Sequence, residues 1–334
     1  MNSAPKVSVL MTAYNQETYI AEAIESVLAQ TCTDFELIIV DDGSSDQTVE
    51  IARRYTTDQR VRLFVNETNL GQFQNRNRAA KLAQGKYLKY LDSDDMLYPH
   101  CLEVMTHQME MFPQAGLGFA NQPREDWAYP VALGPRDSYR LHFLGRGGLG
   151  NGPTFAMVRR DIFWEAGGFP IARLSSDVEF SLAVAREHEI LFTIKGLVFY
   201  RYHAGQQEGG VLLKGGWASR SIGAQAESFQ ICKGALLHPE CPLSESERAL
   251  ATRNLVGIHL RILARYILHG RLKDALALWR LSGLEWADLR WALSPSQFPY
   301  ATANGDLKLR TVARNWMAYP HAEPPGGTAA WLHL

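Results

Sequence analysis

The sequence predicts an α/β protein with a mainly parallel sheet flanked by helices. Over the first hundred residues, strand-like and helix-like segments alternate, and the strand-like segments are short apolar runs. Polar clusters follow three of these runs directly, which is where ligands bind in parallel sheets. An order of β-α-β-α-β-α-β is typical of a parallel sheet covered by helices.

Each element in this order has its own signal. Strands are predicted at residues 7–12, 36–40, 61–65 and 86–91. A first helix is predicted at residues 18–30, because Ile20, Ile24, Val27 and Leu28 fall on one helical face. A second helix follows the turn after the second strand, with Ser44, Ser45 or Asp46 as its cap, and a third covers residues 76–83.

Composition excludes several other classes of protein. Of the 334 residues, 46% are hydrophobic and 21% charged, as in soluble globular proteins. The net charge of -1 argues against broad nucleic-acid binding. The four cysteines form no Cys-x-x-Cys pair and suit a reducing cytosol. No run of ~18 apolar residues indicates a membrane-spanning helix, so we expect a cytoplasmic protein.

The chain changes character along its length. Residues 116–210 are rich in glycine, proline and aromatic residues, whereas long helical patterns begin near Trp217. In the helical part, Leu255, Ile258, Ile262 and Tyr266 are predicted to share one helical face, and Gly270 interrupts the pattern. We therefore expect one domain over residues 5–210, a helical region over 215–315 and a flexible tail over 316–334.

The acidic cluster Asp92-Ser93-Asp94-Asp95 follows the fourth predicted strand. Three carboxylates within four residues repel one another unless a cation lies among them. Mg²⁺ and Mn²⁺ prefer oxygen ligands and often complete their shell with substrate phosphates. A solvated turn that caps the next helix is the alternative, but the position after a buried strand favours a metal site.

Two further strand ends carry candidate ligand-binding residues. Asp42 follows the second strand, and its carboxylate is predicted to be free to accept a hydrogen bond from a base or ribose, because Ser45 or Asp46 can cap the next helix. Tyr14 follows the first strand beside Thr12, where an aromatic ring can lie on a nucleobase. A core tyrosine is the alternative interpretation of Tyr14.

These motifs, in this order, resemble the family-two inverting nucleotide-sugar glycosyltransferases of the GT-A fold. The resemblance covers roughly residues 5–210, and it is carried by VSVLMTAYNQETYIAEAIESVLAQTCTDFELIIVDDGSSD and NLGQFQNRNRAAKLAQGKYLKYLDSDD. It implies a GT-A catalytic domain that moves a sugar, most often from a UDP-sugar, to a hydroxyl of a glycan or lipid-linked glycan. Cell-envelope polysaccharides are the expected products.

The resemblance also implies roles for individual residues. Tyr14 would stack on the base with Thr12 beside it, and Asp42 would bond the base edge. Asp94 would lie by the ribose and the metal, and Asp95 would bind a Mn²⁺ or Mg²⁺ ion that bridges the diphosphate. Asp92 could share that task, because the family's Asp-x-Asp register can also be aligned on Asp92 and Asp94. The remaining residues with an implied role are Arg76 and Asn77 near the donor.

The catalytic base of the family is an acid that follows a Gly-Gly-Phe segment. Here Gly167-Gly168-Phe169 precedes Ser176-Asp177-Val178-Glu179. Asp177 occupies the base position, and Ser176 replaces the glutamate that usually precedes it. Glu179 is the second candidate for the base. An N-cap of the helix at residues 178–186 is the structural alternative for Ser176 or Asp177.

The segment Arg201-Tyr202-His203 resembles the family's Arg-x-His segment, whose histidine lies near the metal and diphosphate. The glutamines and glycines after it suit a loop that closes over the donor. By contrast, Gly145-Arg-Gly-Gly-Leu-Gly150 matches the dinucleotide fingerprint only in letters. Asn151-Gly152-Pro153 cannot open the helix which that fingerprint requires, so we expect a loop on the acceptor side.

Between Thr252 and Ala292, seven basic residues stand against three acidic ones, with tryptophans nearby. Such helices can lie on an anionic membrane, so peripheral contact with the inner face of the cell membrane is one hypothesis. A helical cap with a solvated basic face is the other. Two other functions stay open: a non-catalytic nucleotide-sugar-binding relative, and a sugar nucleotidyltransferase, which would carry a glycine-rich triphosphate loop near the first strand.

Overall fold

The computed structural model describes residues 4–125, 127–145, 147–171, 175–203, 221–286, 288 and 310–311. Four parallel strands with their connecting helices make up the first part of the chain, as the sequence predicted. The sheet order in this part is β3-β2-β1-β4, with every pair parallel. The elements are β1 (Val7–Ala13), α1 (Ile20–Leu28), β2 (Phe35–Asp41), α2 (Thr48–Arg54), β3 (Val61–Val65), α3 (Gln72–Leu82) and β4 (Tyr87–Asp92).

The sheet continues beyond β4 with strands of both directions, in the full order β11-β7-β9-β6-β8-β4-β1-β2-β3. A separate two-stranded sheet pairs β5 with β10. The added elements are β5 (Met96–Leu97), α4 (Cys101–Met111), β6 (Ala115–Phe119), β7 (Val131–Leu133), α5 (Pro135–Leu144), β8 (Ala156–Arg159), α6 (Arg160–Glu165), α7 (Ser176–Glu187), β9 (Glu189–Phe192), β10 (Val198–Phe199) and β11 (Arg310–Thr311).

Both faces of the central strands are buried, which explains their continuous apolar sequences. Because side chains alternate along a strand, Leu10 of β1 packs into the core on one face of the sheet, while Val9 and Met11 pack into the core on the other. The long side chain of Lys89 is also fully buried in β4. Its ammonium donates to the carbonyl oxygens of Thr154 and Tyr90, and burial lowers its pKa.

Helix α3 begins four residues earlier than the sequence pattern indicated. Gly71 precedes it with φ of +87°, a conformation that glycine adopts without steric cost. The polar residues of its first turns obscured the start, because Asn75 and Arg76 are buried through hydrogen bonds rather than apolar contacts. The segment immediately before Arg76 is therefore also helical, and Gln72, Phe73 and Asn75 line the cleft at the strand ends.

Three longer helices follow in the described C-terminal part: α8 (Ile222–Leu237), α9 (Glu245–Leu268) and α10 (Leu272–Ser282). Ser244 and Glu247 form a capping box at the start of α9. The core of this region contains Phe229, Val256 and Tyr266, whereas Ile258 is 44% exposed. The buried residues of α9 include Val256, His259, Leu263 and Tyr266, so Ile258 lies off its buried face.

The C-terminal helices pack onto the first part of the chain. Helix α8 contacts α7, and α9 contacts α5. Arg136 of α5 forms two hydrogen bonds to the Glu247 carboxylate, at 3.0 and 2.9 Å. In the described ranges, no helix has the length and apolar content needed to cross a membrane. The tail predicted at residues 316–334 and the loop predicted after His203 lie outside the described residues.

Candidate active site

A cleft of about 740 Å³ lies at the carboxyl ends of β1, β2 and β4. Residues from two sources line it, and we name them by origin. The strand-end half comprises Thr12, Tyr14, Asp42, Arg76, Asp92 and Asp94. The helical half comprises His142 of α5, Asp177 and Val178 of α7, and Ser228 and Cys232 of α8.

The turn after β1 holds Tyr14 at the cleft, with 49% of the residue exposed. The next residue, Asn15, has φ of +52°, a left-handed conformation that asparagine tolerates better than most residues. Its amide donates to Ser44 Oγ at 2.8 Å, and its Oδ1 accepts from the Ser45 amide at 2.9 Å. These bonds lock the turns after β1 and β2 together, so Tyr14 is not a core tyrosine.

Asp42 lies in the cleft, but its carboxylate already accepts three hydrogen bonds. Oδ1 accepts from Asn66 Nδ2 at 2.6 Å and from the Leu70 amide at 2.8 Å, and Oδ2 accepts from the Gly71 amide at 2.9 Å. The expectation that this carboxylate is free for a ligand is therefore wrong. A carboxylate has about four acceptor positions, so Asp42 retains room for one more donor while it holds the loop before α3.

The expected helix caps are also different from those observed. Gln47 precedes α2 and Ser175 precedes α7, and neither side chain caps its helix. Asp46 nevertheless accepts from the Thr48 amide at 3.0 Å. Asp177 is the second residue of α7 rather than its N-cap residue.

The acidic turn after β4 separates its carboxylates. Asp94 lines the cleft, and its Oδ2 lies 2.9 Å from His203 Nε2. Asp95 is 1% exposed, does not line the cleft, and accepts from the Arg201 amide at 2.9 Å. Burial, together with the neighbouring Asp92 and Asp94 carboxylates, raises the pKa of Asp95 to about 7.

Arg201 fixes the Arg-x-His segment onto this acidic turn. Pairing of β10 with β5 brings the segment close, and Arg201 Nε then donates to the Asp94 carbonyl oxygen at 2.9 Å. Its guanidinium also pairs with Glu22 of α1 at 2.5 Å. The His203 ring packs against Tyr19 with centroids 4.6 Å apart. His203 and Asp94 are therefore held together, as the resemblance implied.

The contact between Asp94, which lines the cleft, and His203, which does not, brings one carboxylate and one imidazole together. No group of three or more His, Cys, Asp or Glu side chains forms a metal-binding cluster within the part of the chain that the structure describes. Mg²⁺ commonly takes only one or two protein carboxylates and completes its shell with phosphates and water. The donor set therefore fits an ion that arrives with a phosphate ligand.

Arg76 of the strand-end half interacts with carboxylates of both halves, Asp92 and Asp177. Its Nη2 donates to Asp92 Oδ1 at 2.6 Å. Burial opposes its charge, but the carboxylates of Asp92 and, more weakly, Asp177 outweigh that effect and raise its pKa. Asn77 has a different role, because its side chain exchanges hydrogen bonds with the Phe169 backbone at 2.7 and 2.9 Å.

Gly168 makes this contact possible. It has φ of +71°, and a Cβ there would lie 3.0 Å from Asn77 Oδ1. Asn77 therefore binds α3 to the Gly-Gly-Phe segment and does not reach the cleft, whereas the resemblance placed it near a donor. The glycines of this segment adopt positive φ angles, and they form the turn that precedes Phe169 and α7.

The two candidates for a base differ in their position. Asp177 lines the cleft and Glu179 does not, although both belong to the first turn of α7. The side chain of Asp177 accepts from the Val178 amide at 2.9 Å. Its electrostatic interaction with Arg76 also links it to the strand-end half.

The glycine run at residues 145–150 follows a helix, α5, and leads into a short 3-10 helix at Pro153–Phe155. This context excludes a dinucleotide fingerprint, as the sequence predicted. Thr154 in that 3-10 helix accepts from the Asp92 amide at 3.1 Å through its hydroxyl. Gly150 and Gly152 line the cleft near α7.

Sequence reasoning missed Thr154, His142, Ser228 and Cys232. A lone histidine, serine or cysteine carries no motif, and His142 and Cys232 are 90 positions apart. The four-residue spacing of Ser228 and Cys232 was the available signal, since it places both on one face of a helix. Nothing in the sequence showed that this face would meet α5.

The sheet and cleft define a GT-A fold, with a parallel half that carries polar strand ends and a mixed half that carries the facing helices. Comparisons with solved structures agree. Residues of this chain align with S. aureus TarS 1-349 in complex with UDP-GlcNAc at a TM-score of 0.64 and 20% identity, covering 83% of this chain and 79% of that one. The mannosyltransferase PcManGT from Pyrobaculum calidifontis, in complex with GDP-Man and Mn²⁺, aligns at a TM-score of 0.55 and 18% identity, covering 87% and 84%.

Residues 8–167 match the model of glycosyl transferase family 2, so this segment of the chain is similar to members of that family. The putative glycosyltransferase EpsE of Bacillus subtilis is 43% identical over 112 residues, which cover 33% of this chain and 40% of EpsE. The chondroitin synthase of Escherichia coli is 42% identical over 105 residues, covering 31% and 15%. The aligned segments thus span less than half the length of these relatives.

Proposed function

We propose that this protein is an inverting glycosyltransferase that moves a sugar from a nucleoside diphosphate donor, most often a UDP-sugar, to a hydroxyl of a glycan or lipid-linked glycan. The observation that carries the proposal is the position of Asp177, which faces the strand-end half across one cleft. The match of residues 8–167 to the family model supports the transfer of a sugar, and the lining of the cleft is suited to a nucleotide and to a base.

The strand-end half is suited to a nucleotide. The exposed ring of Tyr14 offers a stacking surface for a base, and Thr12 and the remaining acceptor position of Asp42 offer polar contacts beside it. Base–aromatic stacking contributes about 1–3 kcal/mol per base. Arg76, paired with Asp92, lies further along the cleft, toward Asp177.

The charge of the cleft supports a divalent cation. The charged residues among its described lining are four aspartates and one arginine, and the arginine is ion-paired. A diphosphate would meet net negative charge there, so a cation must accompany it. Asp94 and His203 would hold Mn²⁺ or Mg²⁺ together with the phosphates. Asp95, which is buried and does not line the cleft, stays a predicted ligand of the same ion. The bound ion would neutralise charge that develops on the departing diphosphate.

Asp177 is the proposed general base. A carboxylate at this place can accept the proton of the acceptor hydroxyl while that oxygen attacks the anomeric carbon. The bond from the sugar to the diphosphate breaks on the opposite side, so the anomeric configuration inverts. Glu179, which does not line the cleft, is a poorer candidate.

Product analysis tests this function. The protein is incubated with UDP-, GDP-, dTDP- and CMP-sugars, with and without Mn²⁺, and the nucleotide products are separated by chromatography. Transfer or slow hydrolysis releases a free nucleoside diphosphate or, from CMP-sugars, CMP, and an Asp177→Asn variant should lose that release. Pyrophosphate from a sugar phosphate and a nucleoside triphosphate would instead indicate a nucleotidyltransferase. Binding of a donor with no turnover would indicate the non-catalytic relative.

We also propose that the C-terminal helices contact the surface of a membrane. Several apolar residues near the turn between α9 and α10 are exposed, among them Leu268 at 83% and Leu272 at 63%. Basic residues such as Lys273 and Arg280 lie on the exposed side of α10. Sedimentation with vesicles of anionic and of neutral lipid tests this contact, and equal recovery in the supernatant with both would contradict it.

A further inference from the structure

The helical half of the cleft brings three uncharged polar side chains together. Ser228 and Cys232 are four residues apart on α8, so both project from the same face of that helix. His142 comes from α5, and its Nε2 lies 4.0 Å from Cys232 Sγ. All three line the cleft together with Asp177.

These three groups are neutral near neutral pH. Burial lowers the pKa of His142 to about 4 and raises the pKa of the Cys232 thiol to about 12. Serine, thiol and neutral imidazole can each donate and accept a hydrogen bond. The Nδ1 of His142 is buried and forms no hydrogen bond with the described residues.

Asp177 adds the one charge of this half, and it is negative. A ligand with its own carboxylate or sulfate would be repelled by Asp177. A ligand with several neutral hydroxyls would match the mixed donors and acceptors of His142, Ser228 and Cys232. Sugars without an acidic group have this chemistry.

Helix α8 is fixed relative to the proposed base. The Ser175 amide, two residues before Asp177, donates to the Glu227 carboxylate at 3.1 Å. Because Glu227 immediately precedes Ser228, this bond sets the distance from the α8 side chains to the first turn of α7. Side chains on α8 can thereby position a hydroxyl beside Asp177.

We propose that the helical half is a subsite for a neutral, hydroxyl-bearing sugar of the acceptor, and that Ser228 and Cys232 decide which sugar fits. This inference rests on the proposed transfer function and names the acceptor class at the same cleft. Both residues lie beyond residues 8–167, the segment that matches the family model. Acceptor choice is thus assigned to a helix outside that segment.

Saturation-transfer NMR tests the subsite with defined probes. The protein, with UDP and Mn²⁺ present, is mixed with methyl glycosides of glucose, galactose, mannose and N-acetylglucosamine, and separately with methyl glucuronide. We expect saturation of at least one neutral glycoside and none of the glucuronide. The proposal would be overturned if the glucuronide were saturated as strongly as every neutral probe. It would also be overturned if no neutral probe were saturated.

Two substitutions at Ser228 and one control sharpen the test. Ser228→Trp should fill the subsite and abolish neutral-glycoside saturation, while Leu237→Trp, at a position of the same helix that is 63% exposed, should not. Ser228→Lys should raise the glucuronide signal relative to the neutral one, because it adds a cation beside Asp177. Unchanged probe binding in both Ser228 variants would overturn the assignment.

The shift in melting temperature with UDP and Mn²⁺ distinguishes a failure of the acceptor subsite from a failure of the nucleotide site. If the wild type and Ser228→Trp both shift by the same amount, the strand-end half is intact and any loss of glycoside binding belongs to the helical half. If the wild type shows no shift with any nucleotide, the proposed function itself fails.

Discussion

The two halves of the cleft are built by different physical means. In the strand-end half, polar side chains sit at adjacent strand ends and are fixed by hydrogen bonds to nearby backbone amides, as at Asp42. In the helical half, His142 and Cys232 meet from positions 90 residues apart, and only packing of α5, α7 and α8 brings them together. The strand-end half is charged and comes from adjacent ends of one sheet. The helical half is largely neutral and comes from helices that are distant in sequence.

Under the proposed function, this difference would separate donor chemistry from acceptor choice within one protein. Charged groups at strand ends need a fixed backbone, because a displaced carboxylate loses its partners or its metal. Neutral groups on helix surfaces can change one side chain at a time without disturbing the sheet. The largest effects on chemistry should therefore come from single charged residues, and the helices should control fit and stability.

The largest effect is expected from Asp177→Asn. Loss of a general base lowers turnover by about 10²–10⁴-fold, whereas the affinity for the nucleotide should hardly change, because Asp177 belongs to the helical half. Release of nucleoside diphosphate over time measures the first, and calorimetry with the nucleotide measures the second. Glu179→Gln is the matched control in the same helical turn, and an equal loss in that variant would contradict the assignment.

Asp42→Ala should affect stability and nucleotide binding together. It removes the acceptor for the Leu70 and Gly71 amides and for Asn66, which we expect to lower the free energy of unfolding by about 2 kcal/mol. Urea denaturation measures this change. Asp42→Asn, which keeps one carbonyl acceptor, should lose less. Equal stability of Asp42→Ala and the wild type would show that the loop before α3 is held by other contacts.

Tyr14→Ala should weaken nucleotide binding by about tenfold through loss of stacking. Tyr14→Phe retains the ring and is the control, with affinity near that of the wild type. Fluorescence or calorimetric titration with UDP measures both. If Phe and Ala weaken binding equally, the hydroxyl of Tyr14 rather than its ring contacts the nucleotide.

A smaller effect is expected where the helical region is joined to α5. Glu247 accepts from Arg136 and from the Ser244 amide, and although burial raises its pKa, these bonds outweigh burial and lower it below the ordinary 4.5. The stabilisation is therefore complete above that value and is lost as the pH falls through the lowered pKa. Glu247→Gln should lower the free energy of unfolding by about 1 kcal/mol at neutral pH. The difference from the wild type should shrink as the pH falls.

The measurement is urea denaturation of the wild type and Glu247→Gln at a series of pH values. Glu245→Gln, an exposed acid in the same first turn of α9, serves as control and should follow the wild type. A difference between wild type and Glu247→Gln that stays constant from neutral to acid pH would contradict a role for the Glu247 charge.

The parallel half of the fold could be predicted from sequence because β1, β2 and β4 are buried on both faces and end in polar turns. The strand ends at Ala13, Asp41 and Asp92 fall within one residue of their predicted places. The mixed half could not be predicted in this way. Its strands are short, and their order depends on pairings such as β6 with β8 and β9 that no local pattern records.

The candidate site shows the same division. Sequence placed Tyr14, Asp42, Asp94 and Asp177 correctly in one cleft, because strand ends and the resemblance both point there. It did not reveal that Asp42 is already hydrogen-bonded, since its partners follow a different strand. The resemblance placed Asn77 beside Arg76 near the donor, yet successive helical residues point in different directions, and only Arg76 lines the cleft.

The central claim is that the strand-end half binds a nucleoside diphosphate only together with a divalent cation, held at Asp94 and His203. Calorimetric titration with UDP, with Mn²⁺ and then with a chelator, tests it most directly, using Asp94→Asn as the comparison. We expect UDP to bind in the presence of Mn²⁺ and to lose most of its affinity when the chelator is added. Asp94→Asn should bind UDP weakly under both conditions. Equally tight binding with Mn²⁺ and with the chelator would contradict it.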